Sequence, residues 1–182
     1  MSNIPWGWWL VPVLLIFTAS SCQASPQAGS PVVATPSKPP DAANATYMIE
    51  RQSVTLSNGS AEQSIVPGSA TKMLTKLSDQ QAVGDLNGDG KPDVAVVLVH
   101  DPGGSGTFYY IAAVLNDGTG KGNSTNVELL GDRIAVEKIS IDKGEMVVDF
   151  LTRRSDDPRT APPSVKTTKR FSVRDGKLAA SQ

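Results

Sequence analysis

From residue 45 onward, apolar residues occur in short runs or alternate with polar residues, and turn-forming residues separate the runs. Alternation with a period of two is typical of β-strands. The run Val94–Val99 is apolar at every position, which predicts a central strand buried on both faces. We therefore predict an all-β fold, mainly an antiparallel sheet or sandwich of about seven to nine strands, forming a single domain at residues 45–182.

Turn signals between the runs predict several hairpins. Tyr47–Leu56 and Ala61–Val66 flank Asn58-Gly59, a pair that favours tight hairpin turns because both residues accept a positive φ. Asp142–Gly144 and Asp175-Gly176 predict two further turns near the C-terminus. The remaining predicted strands are Phe108–Leu115, Val127–Leu130, Ile134–Ile141, Met146–Leu151, Arg170–Val173 and Lys177–Leu178.

One segment, Ala70–Leu77, fits two patterns. Ala70, Met73, Leu74 and Leu77 form a helical stripe, whereas Met73, Thr75 and Leu77 alternate as in a strand. Because the segment is short and lies between predicted strands, we favour a strand. Elsewhere in the domain we find no helical pattern.

The N-terminal segment resembles an export signal. Residues 1–21 contain no charged side chain, and the apolar run Ile4–Phe17 is shorter than the roughly 20 residues that a transmembrane helix needs. The small residues Ala19–Ser21 precede the only cysteine, Cys22, as in a bacterial lipobox. This resemblance implies a signal peptide at residues 1–21 and fatty acylation, such as palmitate, on Cys22. An ordinary signal peptide or an uncleaved anchor with an incidental cysteine is the alternative.

The segment after Cys22 has the composition of a tether. Residues 22–44 are rich in Pro, Ala and Ser and contain almost no large apolar side chain, so we expect them to be disordered. These features predict an exported protein that is attached to the cell membrane by lipid. Gln23, rather than Asp, follows the cysteine, which favours the periplasmic side of the outer membrane if the cell is Gram-negative.

Composition excludes several kinds of protein. The net charge is -1, whereas nucleic-acid binding needs a concentrated excess of Lys and Arg, so we expect no nucleic-acid partner. With a single cysteine, the chain has neither an intrachain disulfide nor a zinc site built on several thiolates.

The segment between residues 84 and 94 carries the most specific chemical signal. Oxygen-bearing side chains recur at positions 1, 3, 5 and 9 of a loop that begins at Asp85, and Gly90 permits a sharp bend at position 6. Calcium prefers six to eight oxygen ligands in flexible geometry. We predict a structural Ca²⁺ bound by four side chains and by the backbone carbonyl of Lys91. The predicted metal residues are Asp85, Asn87, Asp89, Lys91 and Asp93.

Position 12 of this loop distinguishes it from an EF-hand. An EF-hand requires Glu there and flanking helices, but this chain has Val96 within an apolar strand. The loop resembles instead the calcium loop of FG-GAP and VCBS repeats, in which Asp at position 9 is a ligand and a strand follows. Propellers built from such repeats contain several copies, and this sequence shows one. The alternative is that these residues form only a polar turn.

Longer stretches between residues 46 and 178 are similar to a group of small bacterial lipoproteins. The stretches are Pro67–Lys72, the Asp85–Asp93 loop with its strand, Gly103–Tyr110, Leu129–Ala135 and Pro162–Val165. The similarity implies the same location and fold boundary but no activity.

Other polar residues show no catalytic pattern. The only histidine, His100, most simply ends a strand, and no two of the carboxylates Asp101, Asp132, Glu137 and Asp149 are singled out as a pair. We interpret the polar loop at residues 153–159 as solvated surface.

These observations favour a non-catalytic binding or accessory module of the cell envelope. Its partners would be the membrane, through the lipid, and an envelope protein or glycan. The alternative is a metal-dependent hydrolase in which Ca²⁺ holds the substrate and a carboxylate acts as the base.

Overall fold

The structure is a computed structural model that describes residues 37–66, 68 and 70–181, and these described residues form one compact unit. The predicted signal peptide, the lipidation residue Cys22 and the tether up to residue 36 lie outside the described residues. The regular elements of the described chain are strands and one 3-10 turn, Ala42–Asn44, which confirms the all-β prediction.

Twelve strands are present in the described residues, more than the seven to nine predicted. They are β1 (Thr46–Ile49), β2 (Gln52–Thr55), β3 (Ser60–Ser64), β4 (Lys72–Gly84), β5 (Asp93–Asp101), β6 (Phe108–Leu115), β7 (Asn123–Ser124), β8 (Glu128–Asp132), β9 (Ala135–Asp142), β10 (Glu145–Thr152), β11 (Val165–Arg174) and β12 (Lys177–Ala180).

The strands form three antiparallel sheets. The largest has six strands, in the order β3-β4-β5-β6-β7, with β8 also paired to β6. A four-stranded sheet has the order β12-β11-β10-β9, and β1 and β2 form a separate two-stranded hairpin. Each sheet therefore consists largely of strands that are neighbours in the sequence, as expected for antiparallel hairpins.

Strand β5 lies at the centre of the molecule because both of its faces are covered. Val96 and Leu98 pack with the β1–β2 hairpin in one apolar cluster. Ala95 and Val97 pack on the opposite face, in a cluster that includes Met146 and other residues of the four-stranded sheet. The molecule thus has three layers with the six-stranded sheet in the middle. The prediction of a central strand at Val94–Val99 is confirmed.

The predicted strand Tyr47–Leu56 is wrong as a single element. Glu50 and Arg51, with φ of 49° and 69°, form a tight turn that divides it into β1 and β2. The predicted Asn58-Gly59 turn is present, but β3 then pairs with β4 rather than with β2. The extra turn lets the hairpin fold over the central sheet and bury Tyr47 and Ile49.

Two other segments can be compared with their predictions. Lys72–Gly84 is strand β4, so the strand interpretation of Ala70–Leu77 holds from Lys72 onward. Residues 37–44, the described part of the expected tether, contact the rest of the domain. Ala42 is buried, and the carbonyl oxygen of Lys38 accepts a hydrogen bond from the Asn116 side chain at 3.0 Å. The small side chain of Ala42 contributes to the core although composition alone suggested a solvated segment.

Candidate functional site

The loop between β4 and β5 contains all five predicted metal residues. It leaves β4 at Gly84 and enters β5 at Asp93, and these two residues pair across the strands. Gly88 and Gly90 have φ of 80° and 77°, a left-handed conformation that glycine adopts without a steric penalty. The two glycines let the loop curl so that its polar side chains turn towards its own backbone.

Asp85 organises the first half of the loop. Its Oδ1 accepts hydrogen bonds from the backbone N–H groups of Asn87 at 3.2 Å and Gly88 at 2.7 Å. Its Oδ2 accepts one from Gly90 N–H at 2.9 Å. One carboxylate thus receives three N–H donors from successive parts of the bend. This is the Asx-turn geometry that short acidic side chains favour.

The same pattern continues along the loop. Asn87 Oδ1 accepts the backbone N–H of Asp89 at 3.0 Å, and Asp89 Oδ1 accepts that of Lys91 at 2.9 Å. The Lys91 ammonium lies 3.3 Å from Asp89 Oδ2, so it contacts the carboxylate instead of pointing only into solvent. The backbone N–H of Lys91 is the main reason that the pKa of Asp89 is lowered, and its ammonium adds to the effect.

Asp93 differs from the other loop residues because its side chain is completely buried. Its Oδ2 accepts the backbone N–H of Leu86 at 2.9 Å, and its Oδ1 accepts that of Asn116 at 2.8 Å. Burial raises the pKa of Asp93, the negative charges of Asp89 and Asp85 raise it further, and the two N–H donors oppose the shift. The three carboxylates therefore interact electrostatically.

The donor groups of the loop are of the type that calcium prefers. They are carboxylate and amide side-chain oxygens, together with the backbone carbonyl oxygen predicted at Lys91. No nitrogen or sulfur ligand is among these predicted groups. The repulsion that raises the pKa of Asp93 is one that a cation would relieve. However, the residues with described positions contain no group of three or more His, Cys, Asp or Glu side chains arranged to hold a metal ion. The metal set therefore stays a prediction.

Asn116 is part of this site, although the sequence analysis did not single it out. It is buried at the end of β6, and its side-chain amide donates to the carbonyl oxygens of Pro92 at 3.1 Å and Lys38 at 3.0 Å. The only sequence signal is an Asn directly after an apolar strand, which is also an ordinary turn signal. The long-range contacts of Asn116 could not be read from that position.

The contacts of His100 indicate a structural role. Its Nδ1 is 2.9 Å from the Thr75 hydroxyl, and its ring meets Tyr110 edge-on with 6.3 Å between centroids. Tyr110 in turn donates its hydroxyl to Glu50 at 2.8 Å. Thr75 is only 2% exposed, so its hydroxyl is not accessible as a nucleophile. This network joins the hairpin turn to the central sheet.

Of the carboxylates considered for hydrolysis, Asp132 and Asp149 accept hydrogen bonds, and Glu137 and Asp149 share one surface groove. Asp132 accepts the backbone N–H of Thr107 at 3.0 Å, and Asp149 accepts the Thr168 hydroxyl at 2.6 Å. Glu137 and Asp149 line one surface groove together with Lys138 and Lys166. Two lysines beside two carboxylates favour a solvated surface of mixed charge.

Comparison with known proteins gives one match. The FG-GAP repeat family model matches residues 82–111, which include the end of β4, the Asp85–Asp93 loop, all of β5 and the start of β6. No curated protein and no solved structure matches the chain. The FG-GAP-type resemblance is thus confirmed for this segment of the chain. Within the described ranges, no helix is long and apolar enough to cross a membrane.

Proposed function

We propose that this protein is a non-catalytic module of the bacterial cell envelope, stabilised by one Ca²⁺ and held at the membrane by acylated Cys22. The observation that supports calcium binding best is the position of Asp93. This buried carboxylate interacts unfavourably with Asp85 and Asp89 in the one segment that matches the FG-GAP repeat. FG-GAP repeats generally bind calcium.

The ion would act on stability because the loop connects two parts of the structure. Through Leu86 and Asn116, Asp93 links the start of the loop to the end of β6. A cation bound by Asp85, Asn87, Asp89 and Asp93, with the Lys91 carbonyl, would offset the repulsion among the carboxylates. The Lys91 ammonium, now 3.3 Å from Asp89, would have to move away from an oxygen that binds the ion.

The envelope role rests on the N-terminal sequence and on the character of the domain. The lipobox-like segment favours export and acylation, and the FG-GAP-type segment favours a binding or accessory module. An envelope protein or glycan is the kind of partner that fits this cellular location. Labelling cells with a palmitate analogue tests the anchor, since Cys22→Ala should abolish incorporation if the lipobox is used.

Thermal unfolding with excess Ca²⁺ and then with chelator tests the metal site. A ligand that binds only the folded state stabilises it by about 2.7 kcal/mol at a hundredfold excess over its Kd. We expect a midpoint roughly 5–10 °C higher with calcium. Asp89→Ala should remove most of this shift. Asp79→Asn, which changes one exposed carboxylate of β4, should keep it. Identical curves with and without calcium in the parent protein would refute the metal site.

A further inference from the structure

A shallow cavity of about 620 Å³, open to solvent, lies at the end of the domain where β5 meets β6, and three arginines line it. Arg133 comes from the β8–β9 turn, Arg153 follows β10, and Arg159 belongs to the loop before β11. The hydroxyl-bearing residues Ser105 and Thr160 also line the cavity. The β4–β5 loop is at the opposite end of β5, about 30 Å away for a nine-residue strand.

The charges in this cavity do not balance. Asp132 is the acidic partner of two of the arginines, at 3.5 Å from Arg133 and 4.0 Å from Arg153. Its other oxygen accepts the backbone N–H of Thr107. Three guanidinium groups and one carboxylate leave an excess of two positive charges. The protein as a whole has a net charge of -1, so the excess is a local feature.

Arg153 is held in place as a binding residue would be. Its side chain is 15% exposed, and its Nη1 and Nη2 donate to the carbonyl oxygens of Arg133 and Asp132, both at 3.4 Å. Asp157, in the same loop, accepts the backbone N–H of Arg154 at 3.1 Å. The interpretation of residues 153–159 as solvated surface is therefore wrong for Arg153.

Arg133 occupies a backbone conformation that is unfavourable for arginine. Its φ is 49°, in the left-handed region where glycine or asparagine would cost less. Its backbone N–H donates to the carbonyl oxygen of Thr107 at 2.7 Å, which fixes the turn against the β5–β6 loop. Turn geometry alone gives no reason for a long cationic side chain here. Unfavourable backbone conformations of this kind occur often at binding sites.

We propose that this cavity binds the phosphate monoester group of a ligand. Such a group carries a charge of about -1.5 to -2 at neutral pH, which matches the excess of two, whereas a single carboxylate would neutralise only half of it. Guanidinium groups bind phosphate through paired N–H donors, and the hydroxyls of Ser105 and Thr160 can donate to remaining oxygens. The proposal does not depend on calcium in the β4–β5 loop.

The same phosphate chemistry occurs on soluble sugar phosphates and on lipid headgroups. Calorimetric titrations of the full chain carrying Cys22→Ala, in nonionic detergent with chelator, separate these sources. One arm uses glucose 1-phosphate and inorganic phosphate, and the other uses detergent micelles containing phosphatidic acid. Saturable binding in the first arm identifies a soluble ligand, and saturable binding confined to the second identifies a lipid. Either result supports the proposal if the binding requires the arginines of the cavity.

Three variants test that requirement. Arg133→Gly and Arg159→Ala should each raise the Kd by about tenfold or more, because a charge-assisted hydrogen-bond partner is lost. Arg154→Ala, a neighbouring exposed arginine outside the cavity, should bind as the parent does. Arg133→Gly removes the guanidinium while relieving the backbone, so its thermal midpoint should not fall. The proposal is overturned if no phosphate probe binds at millimolar concentration, or if the two cavity variants bind as well as the parent.

Discussion

The buried carboxylate of Asp93 accepts the backbone N–H of Asn116 at 2.8 Å. Asp93 begins β5 and Asn116 follows β6, so this bond joins two neighbouring strands just beyond their paired region. The second oxygen of Asp93 accepts Leu86 N–H from the loop. One side chain thus connects the loop to the central sheet, and it has a structural role whether or not an ion is bound.

Replacement of Asp93 should therefore destabilise the protein even without calcium. In Asp93→Asn one acceptor oxygen becomes an NH₂ donor facing a buried backbone N–H. Leaving such a donor unsatisfied costs about 1–3 kcal/mol. Denaturant unfolding in chelator measures this loss, and Asp79→Asn should remain within about 0.5 kcal/mol of the parent. A parent-like Asp93→Asn protein would show that these bonds contribute little.

Asn116 should contribute to stability through a different pair of bonds. Asn116→Ala removes the donors to the carbonyl oxygens of Pro92 and Lys38. We expect a loss of about 1–3 kcal/mol, since two part-buried hydrogen bonds, each worth about 0.5–1.5 kcal/mol, are lost. Asn123→Ala, in exposed β7, is the matched control. Hydrogen exchange should also show faster opening near residue 38 only in Asn116→Ala, and equal exchange in both variants would contradict the role of this anchor.

The Glu50-Arg51 turn offers a stabilising substitution. Both residues have a positive φ, and two-residue turns of this kind prefer glycine, above all at the second position. Arg51→Gly should raise the free energy of unfolding by about 0.5–1 kcal/mol because it removes an unfavourable backbone conformation. Glu50→Gly gives the same relief but loses the bond from Tyr110, so it should gain less or lose stability. A gain that is larger for Glu50→Gly would show that the Tyr110 bond is unimportant.

His100 should make stability depend on pH. Burial lowers its pKa below the ordinary value of about 6.5, although Glu50 and Asp101 partly oppose the shift. The neutral ring is favoured in the folded state, whereas the unfolded chain takes up a proton as pH falls below about 6.5. The stability that the neutral His100 ring contributes is thus present above a pH of about 6.5. It is lost as the pH falls towards the pKa of His100 in the folded protein.

The measurement is denaturant unfolding at pH 7 and pH 5 in the parent and in His100→Gln. The parent should lose more stability than the variant over this interval, because Gln does not titrate. Equal losses would mean that other groups cause the dependence. A comparison confined to this interval keeps most carboxylates ionised, so their titration contributes little.

The sequence by itself determined those features that depend on neighbouring residues. Val94–Val99 is apolar at every position, and only a strand covered on both sides buries such a run. Asn58-Gly59 adopts the positive φ angles that its residue types favour, and Gly144 and Gly176 do the same in the two C-terminal turns. The Asp85–Asp93 loop likewise forms through bonds between residues two to seven positions apart. The spacing of residue types along the chain was sufficient to predict each of these features.

Only the tertiary structure decided the features that depend on residues distant in the sequence. The Glu50-Arg51 turn has no glycine signal, and it forms where Tyr47 and Ile49 are buried on the central sheet and Tyr110 bonds to Glu50. Asn116 reaches Lys38, and Arg133, Arg153 and Arg159 meet because separate strands end at the same edge. No local sequence pattern encodes these long-range contacts, since burial and charge balance arise only when the sheets pack together.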